Sequence, residues 1–378
     1  MDKTVLKSFA VESRKKLIED TIYRLNLLGI TEKEIQDPIE ADGMQSFQLG
    51  NNIFSIYDDD IRKRKEIIKE IRNKGFDNFV EEVAYTWFNR IIAIRYMEVN
   101  NYLPTKIRVL SSETEGKIDP DILTYALDID LDYTDEDKEL IIKLKHEEEL
   151  DELFRFLFIK QCNKLNDILP GLFEKTYDYG LLLNIKFTDD NSVVRKLVDT
   201  ISEEDFGHQV EIIGWLYQYY NTELKDETFR NINKNKVSKE KIPAVTQLFT
   251  PDWIVKYMVE NSLGKLWIEG HNNELKSQWK YYVDENEQDS EVEFKLLEIR
   301  KESENLKIED IKIFDPCMGS GHILVYVFDV LMQIYLSEGY TKKDAAVSIL
   351  RNNIFGLDID DRAISTRLFC SFNESKIF

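Results

Sequence analysis

The residues of this chain whose types and spacing could do chemistry lie in one stretch, Ile311-Lys312-Ile313-Phe314-Asp315-Pro316-Cys317-Met318-Gly319-Ser320-Gly321-His322-Ile323-Leu324. An apolar β-type run ends in an acid, Pro316 and two glycines mark a tight turn, and Ile323 to Ile334 then form a strongly apolar helix. Gly319 and Gly321 let the backbone turn sharply and let a ligand approach where a Cβ would intrude. Gly-x-Gly alone is common, so an ordinary strand-to-helix turn is the plain alternative. A dinucleotide fingerprint is disfavoured, because position 324 holds Leu where a third Gly is wanted. The next acid to end an apolar run is Asp358, in Asn353-Ile354-Phe355-Gly356-Leu357-Asp358-Ile359-Asp360, well past the roughly 20 residues such a site uses. A long helix and a shorter one, about 341–350, fill the interval.

The elements that must position these residues begin upstream. Gln247-Leu-Phe249-Thr250-Pro251-Asp252-Trp-Ile-Val-Lys256 has Thr250 as a natural N-cap and Pro251 at the first helical position, with free amides suited to a carboxylate. Parallel strands are expected over 311–315 and 354–358. The charged stretch from about 269 to 310 reads as a partly helical surface insertion.

Asp315-Pro-Cys-Met-Gly-Ser-Gly-His-Ile-Leu324 closely resembles the first motif of amino-group DNA methyltransferases, a loop that cradles S-adenosylmethionine, and Gly356-Leu-Asp-Ile-Asp360 looks like their second motif. The resemblance implies that Asp315, Cys317, Gly319, Ser320 and Gly321 line the cofactor, and that Asp358, with Ile359 beside it, receives the ribose hydroxyls. Asp360 reads as a solvated turn acid. The order also matches the γ-type arrangement, which implies that Phe249, Thr250 and Pro251 meet the methionine end. Trp87-Phe88-Asn89-Arg90, Arg95-Tyr96-Met97-Glu98-Val99-Asn100 and the aromatic run 212–220 are similar to the N-terminal helical region of the PglX family, adenine-specific methyltransferases of BREX phage-defence systems.

Before residue 238 the chain is expected to be mostly α-helical. Residues 1–75 read as charged amphipathic helices, and 79–104 as a long helix with Val83, Trp87, Ile91, Ile94 and Met97 on one face and Pro104 just beyond it. Arg90 and Arg95 could touch phosphate, but a solvated or ion-paired helix face is the plainer reading. Asp128, Asp130 and Asp132 lack the glycine and closing Glu of a calcium loop, so a solvated linker with a helix start at Thr134 is expected. Ser202 is placed as a cap, and Trp215, Tyr217, Tyr219 and Tyr220 as helix packing rather than a base-stacking platform. The polar, basic run 231–240 marks a domain boundary, giving a helical domain over 1–238 and an incomplete Rossmann-like methyltransferase domain over 239–378.

Composition limits the partners. The 378 residues carry a formal charge of −21, so this chain alone is not expected to hold a nucleic-acid backbone strongly, and DNA is a partner of a longer protein. No apolar run of about 18 residues exists to cross a membrane, and three cysteines without paired spacing fit a reduced, cytoplasmic protein without a metal site. None of the seven prolines adjoins another. The Asn-Pro-Pro-Tyr-type motif that grips a flipped adenine is therefore missing. The chain is read as the N-terminal part of a PglX-like adenine methyltransferase, inactive alone, that works with other defence-system proteins. A non-catalytic partner-binding module of such a complex is the alternative, and a nicotinamide oxidoreductase is the disfavoured third reading.

Overall fold

Apolar stripes at three-to-four spacing become helices wherever the chain supplies them. The computed structural model describes residues 2–41, 43–174, 179–207, 211–231, 237, 241–271 and 274–359. It divides into two units, Met1–Lys236 and Val237–Phe378. Most of the 231–240 run, Asp360 and the segment after it, with Cys370, lie outside the described residues.

In the first unit α1 (Lys3–Leu27) starts at Asp2, whose carboxylate accepts the N–H of Thr4 at 2.8 Å and of Val5. The expectation of helices throughout 1–75 fails next. Ile39–Ala41 (β1), Met44–Leu49 (β2) and Asn52–Tyr57 (β3) form an antiparallel meander, with Phe47 opposite Phe54 and Gly50-Asn51 at the turn. The alternation of β2 is written largely in polar residues, Gln45, Ser46 and Gln48, which hid it from a hydrophobic pattern. Helix α2 (Asp58–Lys74) follows, and Gly75 at φ 84° turns the chain into α3 (Phe76–Val99).

Helix α3 is buried along most of its length, including Val83, Trp87, Ile91, Ile94 and Met97. Helix α4 (Asp135–His146) carries a capping box between Thr134 and Asp137, and α5 (Leu150–Asn166) runs after it. Ahead of α4, Asp128, Asp130 and Asp132 are exposed while Ile129 and Leu131 are buried, and Asp132 pairs with Lys164 at 2.7 Å. Ser202 accepts the Asp205 N–H as a cap should. The aromatic helix α6 (Glu211–Tyr220) packs into the core, with ring centroids of Tyr85 and Tyr217 5.8 Å apart and those of Phe88 and Tyr220 4.7 Å apart.

Arg90 and Arg95 do not form a solvated face. Both are 1% exposed, which removes them from any phosphate. Arg95 donates to Glu98 Oε1 at 2.7 Å, and Glu98 also accepts from Ser111 Oγ and from the N–H groups of Val109 and Leu110. The carboxylate, with four donors upon it, thus ties the end of α3 to the loop beyond Pro104, while Arg95 Nε is left without a partner.

In the second unit α7 (Asp252–Val259) runs through a π-type turn at Glu260–Gly264 into Lys265–Gly270. The charged insertion contributes the exposed helix α8 (Ser290–Ser303), yet its flanks are core: Leu275, Trp279 and Ile308 are buried, and a Cβ on Gly264 would lie 2.7 Å from the Trp279 ring. Strand β4 (Ile313–Asp315), α9 (His322–Ser337), α10 (Lys342–Ser348) and β5 (Ile354–Gly356) follow in order, and β4 pairs parallel with β5 in the register Ile313 to Ile354 and Asp315 to Gly356. Each strand is shorter than its sequence suggested. Ile354 is buried and Ile313 packs partly buried against the same core, whereas Phe314 and Phe355 point to solvent.

Three residue pairs are a weak ladder, and a buried amide reinforces it. Asn353, 0% exposed, donates from Nδ2 to the carbonyls of Ile308 and Ile311 at 2.7 and 2.9 Å, and its Oδ1 accepts from Tyr335 Oη at 2.9 Å. Asn353→Ala removes three buried hydrogen bonds, each worth about 1 kcal/mol, although Tyr335 Oη keeps Ser348 Oγ and Ile308 O keeps the Ile311 N–H. The variant should lose at least about 2 kcal/mol in urea unfolding; an unchanged midpoint would show that the amide is dispensable.

Candidate functional site

The turn after β4 is built by its own backbone. Cys317 N–H donates to Asp315 Oδ1 at 3.0 Å, Gly321 N–H donates to Met318 O at 2.8 Å, and Gly319 and Gly321 take φ of 52° and 81°. Those left-handed values are what the two glycines are for. Gly321 is then the cap residue of α9.

Two backbone bonds stitch the turn to the chain leaving β5: Leu357 N–H donates to Asp315 O at 2.9 Å and Met318 N–H to Leu357 O at 3.1 Å. A side-chain bond completes the junction, since Asp358 Oδ2 accepts the Gly319 N–H at 2.8 Å. Gly356 makes room for it. A Cβ there would stand 2.5 Å from Met318 Sδ and 2.9 Å from Leu324 Cδ1.

The upstream segment arrives through His322. Its imidazole stacks on the Phe249 ring at a centroid distance of 4.6 Å and 8° between planes. Burial pulls the imidazole below its ordinary 6.5, against the opposing effects of the Asp252 charge and a hydrogen bond with the Thr250 backbone. Its Nδ1 is buried without a partner, as is Asp315 Oδ2. Thr250 is not the helix cap that its sequence suggested. Pro251, with ψ 140°, takes that place, its carbonyl accepting from Ile254 and Val255, and the helix starts one residue later at Asp252, which pairs with Lys256 at 2.7 Å.

The structure thus brings together Asp315, Cys317, Gly319, Ser320 and Gly321 on one turn, ties Asp358 to it through the Gly319 N–H, and joins Phe249 to it through the His322 ring. Pro251, Cys317 and Ile359 are exposed, while Phe249 and Ser320 are buried. A Cβ on Gly319 would meet no atom within 4 Å, so the loop borders open space. Orphaned polar atoms on Asp315 and His322, and open space at a left-handed glycine, suit a polar ligand laid against the backbone.

Glu260 escaped the sequence reading. It is buried in the π-type turn, where it accepts from Tyr326 Oη and from Tyr281 N–H, each at 2.6 Å. It links the helix after Pro251 to α9 one turn beyond His322. Burial and this bond raise the Tyr326 phenol and keep it protonated. The signal available was an acid in an otherwise apolar helical stretch, Val259-Glu260-Asn261-Ser262-Leu263.

No family model matches the chain. Over 399 residues, 98% of this chain, it is 45% identical to the adenine-specific methyltransferase PglX of Lacticaseibacillus casei, of which it covers 32%. It is 39% identical over 369 residues, 96% of the chain, to the adenine-specific methyltransferase BrxX of Escherichia coli, of which it covers 30%. The chain therefore spans about a third of the length of the curated relatives it matches. The resemblance to PglX read from the motifs is borne out, and it extends into the first 80 residues, where no motif was read. Among the described residues no helix is long and apolar enough to cross a membrane.

The His322 environment has a pH signature. The folded value lies below the unfolded one, so the unfolded chain takes up the proton first, and the contribution to stability is complete above about pH 6.5 and is lost as pH falls through the folded value. In His322→Gln that loss is absent. The stability of the wild type minus that of the variant, from urea unfolding between neutral and mildly acidic pH, should shrink on acidification. Parallel curves would show that the imidazole is not buried in its neutral form.

Proposed function

We propose that this chain carries the S-adenosylmethionine-binding portion of an adenine-specific DNA methyltransferase of a BREX-type phage-defence system, within a Rossmann-like domain to which β4, α9, α10 and β5 belong. One observation carries the reading: the 2.8 Å bond between Gly319 N–H and Asp358 Oδ2 unites a glycine loop and an acid at the carboxyl ends of two parallel strands. Open α/β sheets bind their ligands at that end. The likeness to two proteins named adenine-specific methyltransferases supports it.

The residues present fit the cofactor. Asp358 and Ile359 would hold the adenosine side, Asp315, Cys317, Gly319, Ser320 and Gly321 the middle, and Phe249, Thr250 and Pro251 the methionine end. S-adenosylmethionine supplies an electrophilic methyl group on a sulfonium. Direct transfer to an amine needs no enzyme nucleophile, so exposed Cys317 has no covalent part. The work of these residues is to bind and orient. The neutral imidazole of His322 serves by holding Phe249 flat beside the loop, and Glu260 by fixing the angle between the two helices that bear them.

Gripping a flipped adenine needs acceptors for its amino group and an aromatic face. The motif that supplies them is not in this sequence, and a charge of −21 opposes DNA. DNA and the other proteins of the defence system are thus partners of the longer protein, in which the two halves of the active site meet.

Calorimetric titration tests the cofactor assignment. The 378-residue chain should bind S-adenosylmethionine in preference to a nicotinamide dinucleotide, and Asp358→Asn should bind it roughly 10- to 100-fold more weakly, as expected for a lost charge-assisted hydrogen bond. The Asn keeps an acceptor for Gly319, so its melting should change little; unchanged affinity would remove Asp358 from the site. Incubated with labelled S-adenosylmethionine and DNA, the chain alone should leave adenine unlabelled. Label in adenine would mean that base recognition is complete within these residues.

A further inference from the structure

Helix α2 carries a basic stripe on a chain that is acidic as a whole. Its inner side is Arg64, Ile67 and Ile71, all buried. Arg62, Lys65, Lys69 and Arg72 are exposed, and their spacing of three and four residues sets them on one outer side, within about 80° of one another over roughly 15 Å of the axis. Asp58, at the N-terminal end, is the only acid of the helix in that sector.

The other acids of α2 stand outside the stripe and are compensated there. Asp59 and Asp60 pair with Lys63 at 3.1 and 3.0 Å, and Glu70 pairs with Lys74 at 2.8 Å. Two of the stripe's cations reach across to this side, Arg62 to Asp59 and Lys69 to Glu66, each at 3.1 Å. Lys65 and Arg72, two turns apart, meet no acid among the described residues. Exposed ion pairs hold weakly and are screened by salt, so Arg62 and Lys69 can exchange their carboxylates for other oxyanions.

Cations repeated along a line suit a polyanion that repeats along a line. We propose that the outer face of α2 is a backbone contact for duplex DNA, with Arg62, Lys65, Lys69 and Arg72 on phosphates spread over about four base-pair steps. Such a contact orients the duplex and reads no sequence. A lipid surface would ask for exposed apolar anchors among the cations, whereas Ile61 and Ile68, which flank the stripe, are half-buried. The inference rests on the reading of this chain as part of a DNA methyltransferase. It leaves the charge of −21 in force: the contact is local, and it is weak unless others in the longer protein add to it.

Fluorescence anisotropy of a labelled duplex with the 378-residue chain, over a series of low salt concentrations, tests it. Each phosphate contact contributes about 0.9 to the slope of log affinity against log salt, so Lys65→Gln/Arg72→Gln should bind more weakly and with a slope smaller by about 1.8. Both side chains are exposed and unpaired, so the melting temperature should not change. Three results would overturn the proposal: no binding by the wild type at low salt, an unaltered slope in the variant, or an equal loss of slope in Lys301→Gln/Lys342→Gln, which removes the same charge from exposed positions elsewhere. Calorimetry with S-adenosylmethionine keeps the two readings apart. The stripe variant should bind the cofactor as the wild type does, and a chain that fails to bind it while its DNA slope still responds to the stripe overturns the cofactor assignment alone.

Discussion

The second unit depends on the side-chain amide of Asn353. Strands of three residues cannot fix their own register, and a one-residue slip would exchange the faces of Ile354 and Phe355. Asn353 prevents this from outside the ladder. It grips the two carbonyls ahead of β4 and is itself gripped by Tyr335 of α9, so the start of both strands and the long helix share one polar centre. The turn and Asp358 hang from the other ends of the same strands. Asn353 thus anchors the strand starts, while the turn and Asp358 are held together directly by the bonds of Gly319, Met318 and Leu357.

Much the same logic holds for Glu98 in the first unit. Its carboxylate receives an arginine, a serine and two backbone amides from the loop that follows α3. Such a group works as a template, since four donors must arrive together. Both centres are polar islands inside apolar packing, and both are satisfied by partners far along the chain or across a loop.

That distance explains what the sequence could and could not disclose. The turn at Asp315 to His322 was legible because its chemistry is local: glycines take left-handed φ, and the acid precedes the turn it caps. Helix α3 was legible because its apolar period repeats over six turns. Arg95 is ion-paired as one branch of the sequence reading had it, with Glu98 and Glu203, but the burial of Arg90 and Arg95 was not legible, because a charged residue on a helix reads as solvent-facing unless its distant partners, here Leu172, Glu174, Ser111 and Glu203, are known. The meander at residues 39–57 was missed for a different reason. Its strands are short and half polar, held by pairing and by the burial of Phe47 and Ile56 rather than by a continuous stripe. Thr250 failed by a single residue, the usual scale of error at a helix end.

The side of the β4–β5 pair left exposed among the described residues bears on how the chain behaves in solution. Phe314 and Phe355 stand side by side in register and exposed, with Leu357 and Ile359 continuing the row. A sticky strip of this kind draws copies together, while a charge of −21 drives them apart. The two effects differ in range. Electrostatic repulsion reaches about 30 Å in dilute buffer but only about 8 Å at physiological ionic strength, whereas contact between the phenyl rings acts only when they touch. Added salt therefore lowers the barrier without weakening the attraction, and the colloidal stability of the chain is a matter of ionic strength before it is one of concentration.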